Sequence, residues 1–208
     1  MGRPAEGSRA IRRQIQRGVD ILREGGVVAF PTDTVYGLGA SYLNGQAVER
    51  VYQVKQRSHA VALPLLLADI SQIESVAAPV PRNAWLLAQR FLPGGLTIIL
   101  HKAPSVPDIV TGGGPNVAVR IPDHPVPVAL IRGLGVPIIG TSANLSGRPS
   151  MLSAEEVRQQ LGCRIDFIIE GGRCPGGVES AVVDLTAEPP VILREGAIPR
   201  GEIEDVLA

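Results

Sequence analysis

Aromatic residues are nearly missing from this chain: one Trp, three Tyr and three Phe make up 3% of its 208 residues. A protein that holds single-stranded nucleic acid by stacking bases on aromatic rings would have little to work with here. Lysine is scarcer still. Of the 20 cationic residues only Lys55 and Lys102 are Lys, and the rest are Arg. Twenty Asp and Glu balance them, so the formal net charge is zero and any attraction for polyanions must come from local clustering. Cys163 and Cys174 fit no common zinc or redox spacing and read as reduced thiols, and three scattered histidines build no common zinc site. The N-terminal MGRPAEGSRAIRRQIQRG lacks the apolar core of a signal sequence, and no apolar run reaches membrane-span length. Both absences predict a soluble, cytoplasmic protein without a membrane partner. Also missing are a GxxxxGK[ST] phosphate loop, a GxGxxG after a strand, and the Ser–His–Asp or Cys–His order of a hydrolase.

What is present is an aliphatic chain, 45% hydrophobic and 19% charged, long enough for one substantial core. Ile11, Ile15, Val19 and Leu22 recur at helical spacing from about Ser8 to Glu24, and Gly25–Gly26 stops the run. Helices are also predicted over Gln46 to Val54, Pro81 to Phe91, Ser153 to Leu161 and Glu202 to Ala208, the fourth with Ser153 and Glu156 as a capping box. Strands are predicted at Val27–Phe30, Leu63–Leu67, Leu96–Leu100, Val117–Ile121, in Val136–Ala143, and at Phe167–Ile169, Ala181–Leu185 and Val191–Leu193. Strands and helices intermix without repeats or a linker. That predicts one α/β domain around a mixed parallel and antiparallel sheet.

Five stretches put polar groups at strand ends, where α/β sheets hold ligands. PTDTVYGLGA (Pro31 to Ala40) follows a buried strand; it is either a binding loop or a polar turn capped by Asp33 and Thr34. Lys55 and Arg57 lie two residues apart at a predicted helix end. They converge on one ligand only if the helix stops between them; otherwise they are a solvated helix terminus. Arg120, in VAVRIPDHP, projects from a core strand and needs an anionic partner: Asp123, Asp184 or a ligand's carboxylate or phosphate. His124 reads as a turn or helix-start residue. GTSANLSGRPS (Gly140 to Ser150) supplies Thr141, Ser142, Asn144 and Ser146, neutral groups able to hold ligand oxygens or simply to cap a helix. Ser180 begins one late strand and Arg194 ends another.

These stretches, in this order and together with PGGLTIIL, resemble the YrdC-type threonylcarbamoyl-AMP synthases. The likeness runs from about Ile11 to Ile198, and it implies a single YrdC-like domain over residues 1–208, in its minimal form. It also implies a twisted mixed sheet, flanked by helices and curved around a concave cavity. The implied reaction joins L-threonine, bicarbonate and ATP into threonylcarbamoyl-AMP and pyrophosphate. The product would serve threonylcarbamoyl modification of the tRNA adenosine beside the anticodon, through a transferase complex that takes the intermediate. By matching position, Lys55 and Arg57 become catalytic cations on the ATP phosphates. Thr34, Tyr36, Arg120, Thr141 and Ser180 become threonine-side residues, with Arg120 on the carboxylate. Ser142, Asn144 and Arg194 become ATP-side residues. Mg²⁺ would be held mainly by the phosphates, with no metal ligands of the protein's own.

The chain departs from the family pattern at Ser58, where Pro is common, and at Val61, where Lys or Asn is common. It departs again at Gly95, in place of Pro, and at Ala181, in place of Thr. Two other readings of the same residues are a non-catalytic RNA-binding module, including double-stranded RNA, on a locally basic concave face, and a carbamoyl-adenylate former in metallocentre maturation. The first has few aromatics and no net charge behind it. The second lacks the additional zinc-binding and acylphosphatase-like regions.

Overall fold

In the computed structural model, which describes residues 4–208, the periodic N-terminal segment is a single helix, α1 (Pro4–Arg23). Val19 and Leu22 are buried, and Ile11 and Ile15 pack against the same cluster, as the spacing predicts. The chain continues through β1 (Val28–Phe30), β2 (Gly37–Gly39), α2 (Gly45–Lys55), β3 (Leu65–Leu66), α3 (Ile73–Val76), α4 (Arg82–Phe91), β4 (Leu96–His101), α5 (Asp108–Thr111) and β5 (Asn116–Arg120). It then forms α6 (Pro125–Leu134), β6 (Ile138–Ile139), β7 (Thr141–Ser142), α7 (Ala154–Leu161), β8 (Phe167–Ile168), β9 (Ala181–Asp184), β10 (Val191–Arg194) and α8 (Arg200–Leu207). Among these described residues no helix is long and apolar enough to cross a membrane.

The strands form two mixed sheets rather than the single sheet expected. One has six strands in the order β10-β9-β4-β5-β3-β6, the other four in the order β7-β2-β1-β8. Parallel pairs occur at β4/β9, β3/β5 and β1/β8, and the remaining neighbours are antiparallel. The physical cause of the split lies in VPIIGTSA. Its apolar run ends as β6 in the larger sheet, and after the one intervening residue, Gly140, it resumes as β7 in the smaller. A Cβ on Gly140 would come within 2.1 Å of Leu66 Cγ, so only a bare backbone turns this corner. The predicted strand Leu63–Leu67 shortens to Leu65–Leu66 because Pro64 has no N–H to give; its carbonyl accepts from Gly140 N at 2.9 Å.

A second difference concerns PTDTVYGLGA. Its latter half, Gly37–Gly39, is a strand paired antiparallel to β1, although glycine disfavours strands. The ring of Phe30 lies across both glycines, and a Cβ at either would sit 2.7 Å from it. Close packing therefore overrides local propensity. The predicted cap of α7 forms with one shift: Ser153 Oγ accepts from Glu156 N, while Glu156 Oε2 reaches back one residue beyond the N-cap, to Leu152 N at 2.7 Å. His124 caps α6 as expected, its ring nitrogen accepting from Val126 N.

The larger core cluster fills the space between the sheets, α2, α4 and α8, and the smaller lies under α1 and α6. Both are mostly Val, Leu, Ile and Ala, as the scarcity of aromatics requires. The corner can be tested directly. Gly140→Ala should lower stability by about 1–3 kcal/mol through overpacking. Gly45→Ala, at the open first turn of α2 with nothing within 4 Å, should be neutral or slightly stabilising. Urea unfolding of both variants checks the contrast.

Candidate active site

The described residues enclose a cavity of about 500 Å³ over one face of the six-stranded sheet. Alternation along the strands builds its floor: Thr97 and Ile99 from β4, Ala118 and Arg120 from β5, and Ser180 and Val182 at the start of β9. In register Thr97 lies opposite Val182, and small side chains keep the floor low. The walls come from the ends of α2 and β7 and from the loops that follow them.

Arg120 anchors one end. Its side chain is only 9% exposed and donates in three directions: to Asp33 Oδ1 at 2.7 Å, Thr34 Oγ1 at 2.9 Å and the Gly94 carbonyl at 2.9 Å. Its internal acid is therefore Asp33, and neither Asp123 nor Asp184 supplies it. Burial presses the guanidinium's pKa down, and the Asp33 carboxylate opposes that shift. Thr34 is fixed in turn, its N–H donating to Thr32 Oγ1 at 3.1 Å.

At the other end the helix does stop between the two predicted cations. Gln56 adopts the left-handed conformation (φ 51°, ψ 43°) and closes α2, so Lys55 and Arg57 both reach the cavity wall. Lys55 is 2% exposed. Its ammonium donates to the Ser142 carbonyl, to the Asn144 carbonyl at 2.9 Å and to Asn144 Oδ1 at 3.0 Å, which uses all three of its protons. Burial first, and the neighbouring Arg57 second, push its pKa down to about 8. Arg57 donates to the carbonyls of Val61 and Ala62. Its pKa is also lowered, chiefly by burial.

Thr141, Ser142 and Asn144 line the adjoining wall, with Ser142 Oγ donating to Asn144 Oδ1 at 2.7 Å. Opposite them Ser180 Oγ shares a hydrogen bond with Thr97 Oγ1 at 2.8 Å. Arg194 Nε donates to the Ser180 carbonyl at 3.0 Å, and its Nη1 pairs with Glu179. Thus Lys55, Arg57, Thr34, Arg120, Thr141, Ser142, Asn144, Ser180 and Arg194 share one cavity.

Tyr36 does not line that cavity. It is fully buried behind the wall, its hydroxyl contacting the carbonyls of Ile169 and Gly172 at 3.1 and 3.2 Å, and burial pushes its pKa up to about 12. Its backbone instead braces the site: the Tyr36 carbonyl accepts from Ala143 N at 2.8 Å.

Three polar or charged lining residues were not among those singled out from the sequence: Thr97, Arg148 and Glu179. Thr97 carried a usable signal, a hydroxyl on the inward parity of an otherwise apolar strand. Glu179 and Arg148 sit on loops whose course no periodicity reports. Among the four departures, Val61 stands on the cavity rim, where it is exposed, while Ala181 is buried in the core. Ser58 accepts from Val61 N in a local turn, and the Gly95 carbonyl accepts from Ala181 N at 2.9 Å.

Comparison with known proteins bears on the same region. The profile of the Sua5/YciO/YrdC family, described as "Telomere recombination", matches residues 20–196. Curated threonylcarbamoyl-AMP synthases from Pyrococcus abyssi and Bacillus subtilis are 45% and 48% identical over 93% of this chain. The chain spans only 57% and 56% of their lengths, just over half of each. A crystal structure of P. abyssi Sua5 complexed with L-threonine matches with a TM-score of 0.90 at 46% identity, over 92% of this chain and 56% of that one. Escherichia coli YciO matches with a TM-score of 0.82 at 32% identity, over 88% of this chain and 89% of that one. With a matched profile over most of its length and a shared fold, this chain belongs to the Sua5/YciO/YrdC family.

Proposed function

We propose that the cavity joins L-threonine, bicarbonate and ATP into threonylcarbamoyl-AMP and pyrophosphate. The observation that carries this reading is the pairing of two unlike ends in one 500 Å³ cavity. One end offers a buried arginine with a threonine hydroxyl beside it. The other offers arginines and a lysine around neutral hydroxyl and amide groups. Such a volume suits a small-molecule site. The names of the relatives, and the L-threonine in the P. abyssi complex, support threonine as a substrate and an adenylate as the product.

The chemistry asks little covalent work of the protein. Threonine's deprotonated amine attacks the carbon of bicarbonate, releasing water and giving a carbamate. A carbamate oxygen then attacks the α-phosphorus of ATP, and pyrophosphate departs with the electron pair of the broken P–O bond. Arg120 suits threonine's carboxylate, with Thr34 and Ser180 nearby. Arg57 and Arg194, with Lys55 behind the Ser142–Asn144 loop, suit the phosphate charge. Positioning and electrostatics supply most of the catalysis in phosphoryl-type transfer. Mg²⁺ would enter with the nucleotide. The only carboxylate on the described wall, Glu179, is already engaged by Arg194 and Ser150, and no group of three or more acidic, His or Cys ligands gathers among the described residues. This donor set fits an ion held mainly by phosphates, which would shield their charge. The product would pass to a transferase acting on the tRNA adenosine beside the anticodon.

Pyrophosphate release from ATP should require both L-threonine and bicarbonate; release that persists when threonine is omitted overturns the reading. Arg57→Ala should weaken ATP binding about tenfold or more, the scale of one lost charge-assisted contact, with little loss of thermal stability. Lys55→Ala should lower both, because it also unpins the Ser142–Asn144 loop. Calorimetry and thermal melts separate the two. The depressed pKa of Lys55 gives a sign as well. The ammonium is charged below about pH 8 and neutral above it, so ATP affinity should fall as pH rises through about 8, and titration of ATP binding across that range checks it.

A further inference from the structure

Among the described residues Glu179 is the one carboxylate on the cavity wall, and the reaction above gives it no task. Its two oxygens are divided between two elements. One accepts from Arg194 Nη1, at the end of β10, and the other accepts from Ser150 Oγ. Ser150 closes the loop after β7, which also carries Arg148 to the cavity. Arg148 is exposed, and its guanidinium makes no hydrogen bond or ion pair among the described residues. A single carboxylate thus neutralises one cavity cation and ties down the loop that bears another.

A second arginine–carboxylate pair, Arg120 with Asp33, puts only its arginine on the cavity lining, and the contrast is informative. Arg120 and Asp33 are 9% and 17% exposed, so separating them would strand a charge out of water. Arg194 and Glu179 are 45% and 34% exposed, a rim pair screened by solvent and weakly held. Arg194 also keeps its Nε contact to the Ser180 carbonyl, which holds the guanidinium in place if the carboxylate leaves. A polyphosphate offers it more negative charge than one carboxylate does, and Glu179 would repel that same charge.

We propose that Glu179 is an exchangeable counter-ion: it competes with a nucleotide's phosphates for Arg194. Nucleotide entry transfers Arg194 from carboxylate to phosphate and frees the Ser150 end of the Arg148 loop. Glu179 is then a positioning residue that sets nucleotide affinity, and the proposal rests on the nucleotide reading above. Its consequence is counterintuitive, since removing an invested charge should improve binding.

The test is ATP binding by calorimetry, without threonine and at fixed Mg²⁺ and salt, on the full chain. Glu179→Gln retains an amide oxygen for Ser150 and removes the charge. It should bind ATP about fivefold more tightly, the scale of a partly exposed ion pair, with the gain shrinking as salt rises. Ser150→Ala cuts the tie and keeps the charge, so it should shift affinity less than about twofold. Unchanged or weaker binding by Glu179→Gln overturns the proposal, and so does an equal gain in Ser150→Ala, which would credit the loop rather than the charge. Wild-type protein that binds no ATP at all would instead overturn the nucleotide reading and take this proposal with it.

Discussion

The ammonium of Lys55 gives all three of its protons to oxygens of one short segment, Ser142 to Asn144, and much of the cavity depends on that arrangement. Lys55 ends α2 and those oxygens lie at and just after the end of β7, so the contact ties a helix terminus to the smaller sheet just beyond the Gly140 corner. A buried ammonium is unfavourable unless it is fully hydrogen-bonded, and this one is. The reverse contact, from Ser146 N to the Lys55 carbonyl at 2.9 Å, closes the tie from the other side. The buried charge beside the cavity and the contact that shapes its wall are therefore one feature.

The cavity's other end obeys the same rule with a different ion. Arg120 is buried on a core strand, and Asp33, Thr34 and the Gly94 carbonyl saturate the donors it turns inward. Among the described residues no buried side-chain nitrogen or oxygen lacks a partner. Both ends are thus preorganised by the protein itself, which suits catalysis by positioning. Between them lie Ala118 and Val182, too small to fill the space. The cavity exists because fixed ions stand at its ends and short side chains at its floor.

Graded burial gives these ions different roles. Asp33 is sequestered with its arginine, while Glu179 meets Arg194 near solvent. Coulomb attraction alone does not distinguish the two pairs, since each is in direct contact. Desolvation does, because only the buried pair would strand a charge on separating. A rigid recognition point and an adjustable one can therefore sit on one wall.

Several parts of this arrangement were legible in the sequence. The spacing of Ile11, Ile15, Val19 and Leu22 marked α1, and Ser153 with Glu156 marked the start of α7. The polar groups at strand ends, from Thr34 to Arg194, were legible as candidates, and strand pairing sets the starts of β4 and β9 beside the ends of β5 and β10, where they line one cavity. Other parts were not legible. Tyr36 lies in the same motif as Thr34, yet it turns to the opposite side of the wall, and local spacing in an irregular loop does not report that direction. The partner of Arg120 sits 87 residues away, while the nearer Asp123 goes unused, because the fold, and not chain distance, sets the loop between β1 and β2 of the smaller sheet against the end of β5 in the larger. The division into two sheets hangs on Gly140, whose need for a bare backbone appears only when Leu66 is packed against it. By itself the sequence determined the type of most elements, though not of β2, α3, α5 or α6, together with the aliphatic core and which residues stand at strand ends, since these follow from local periodicity and side-chain chemistry. Tertiary structure alone decided which ions pair and how deeply each is buried, because both depend on contacts between segments far apart in the chain.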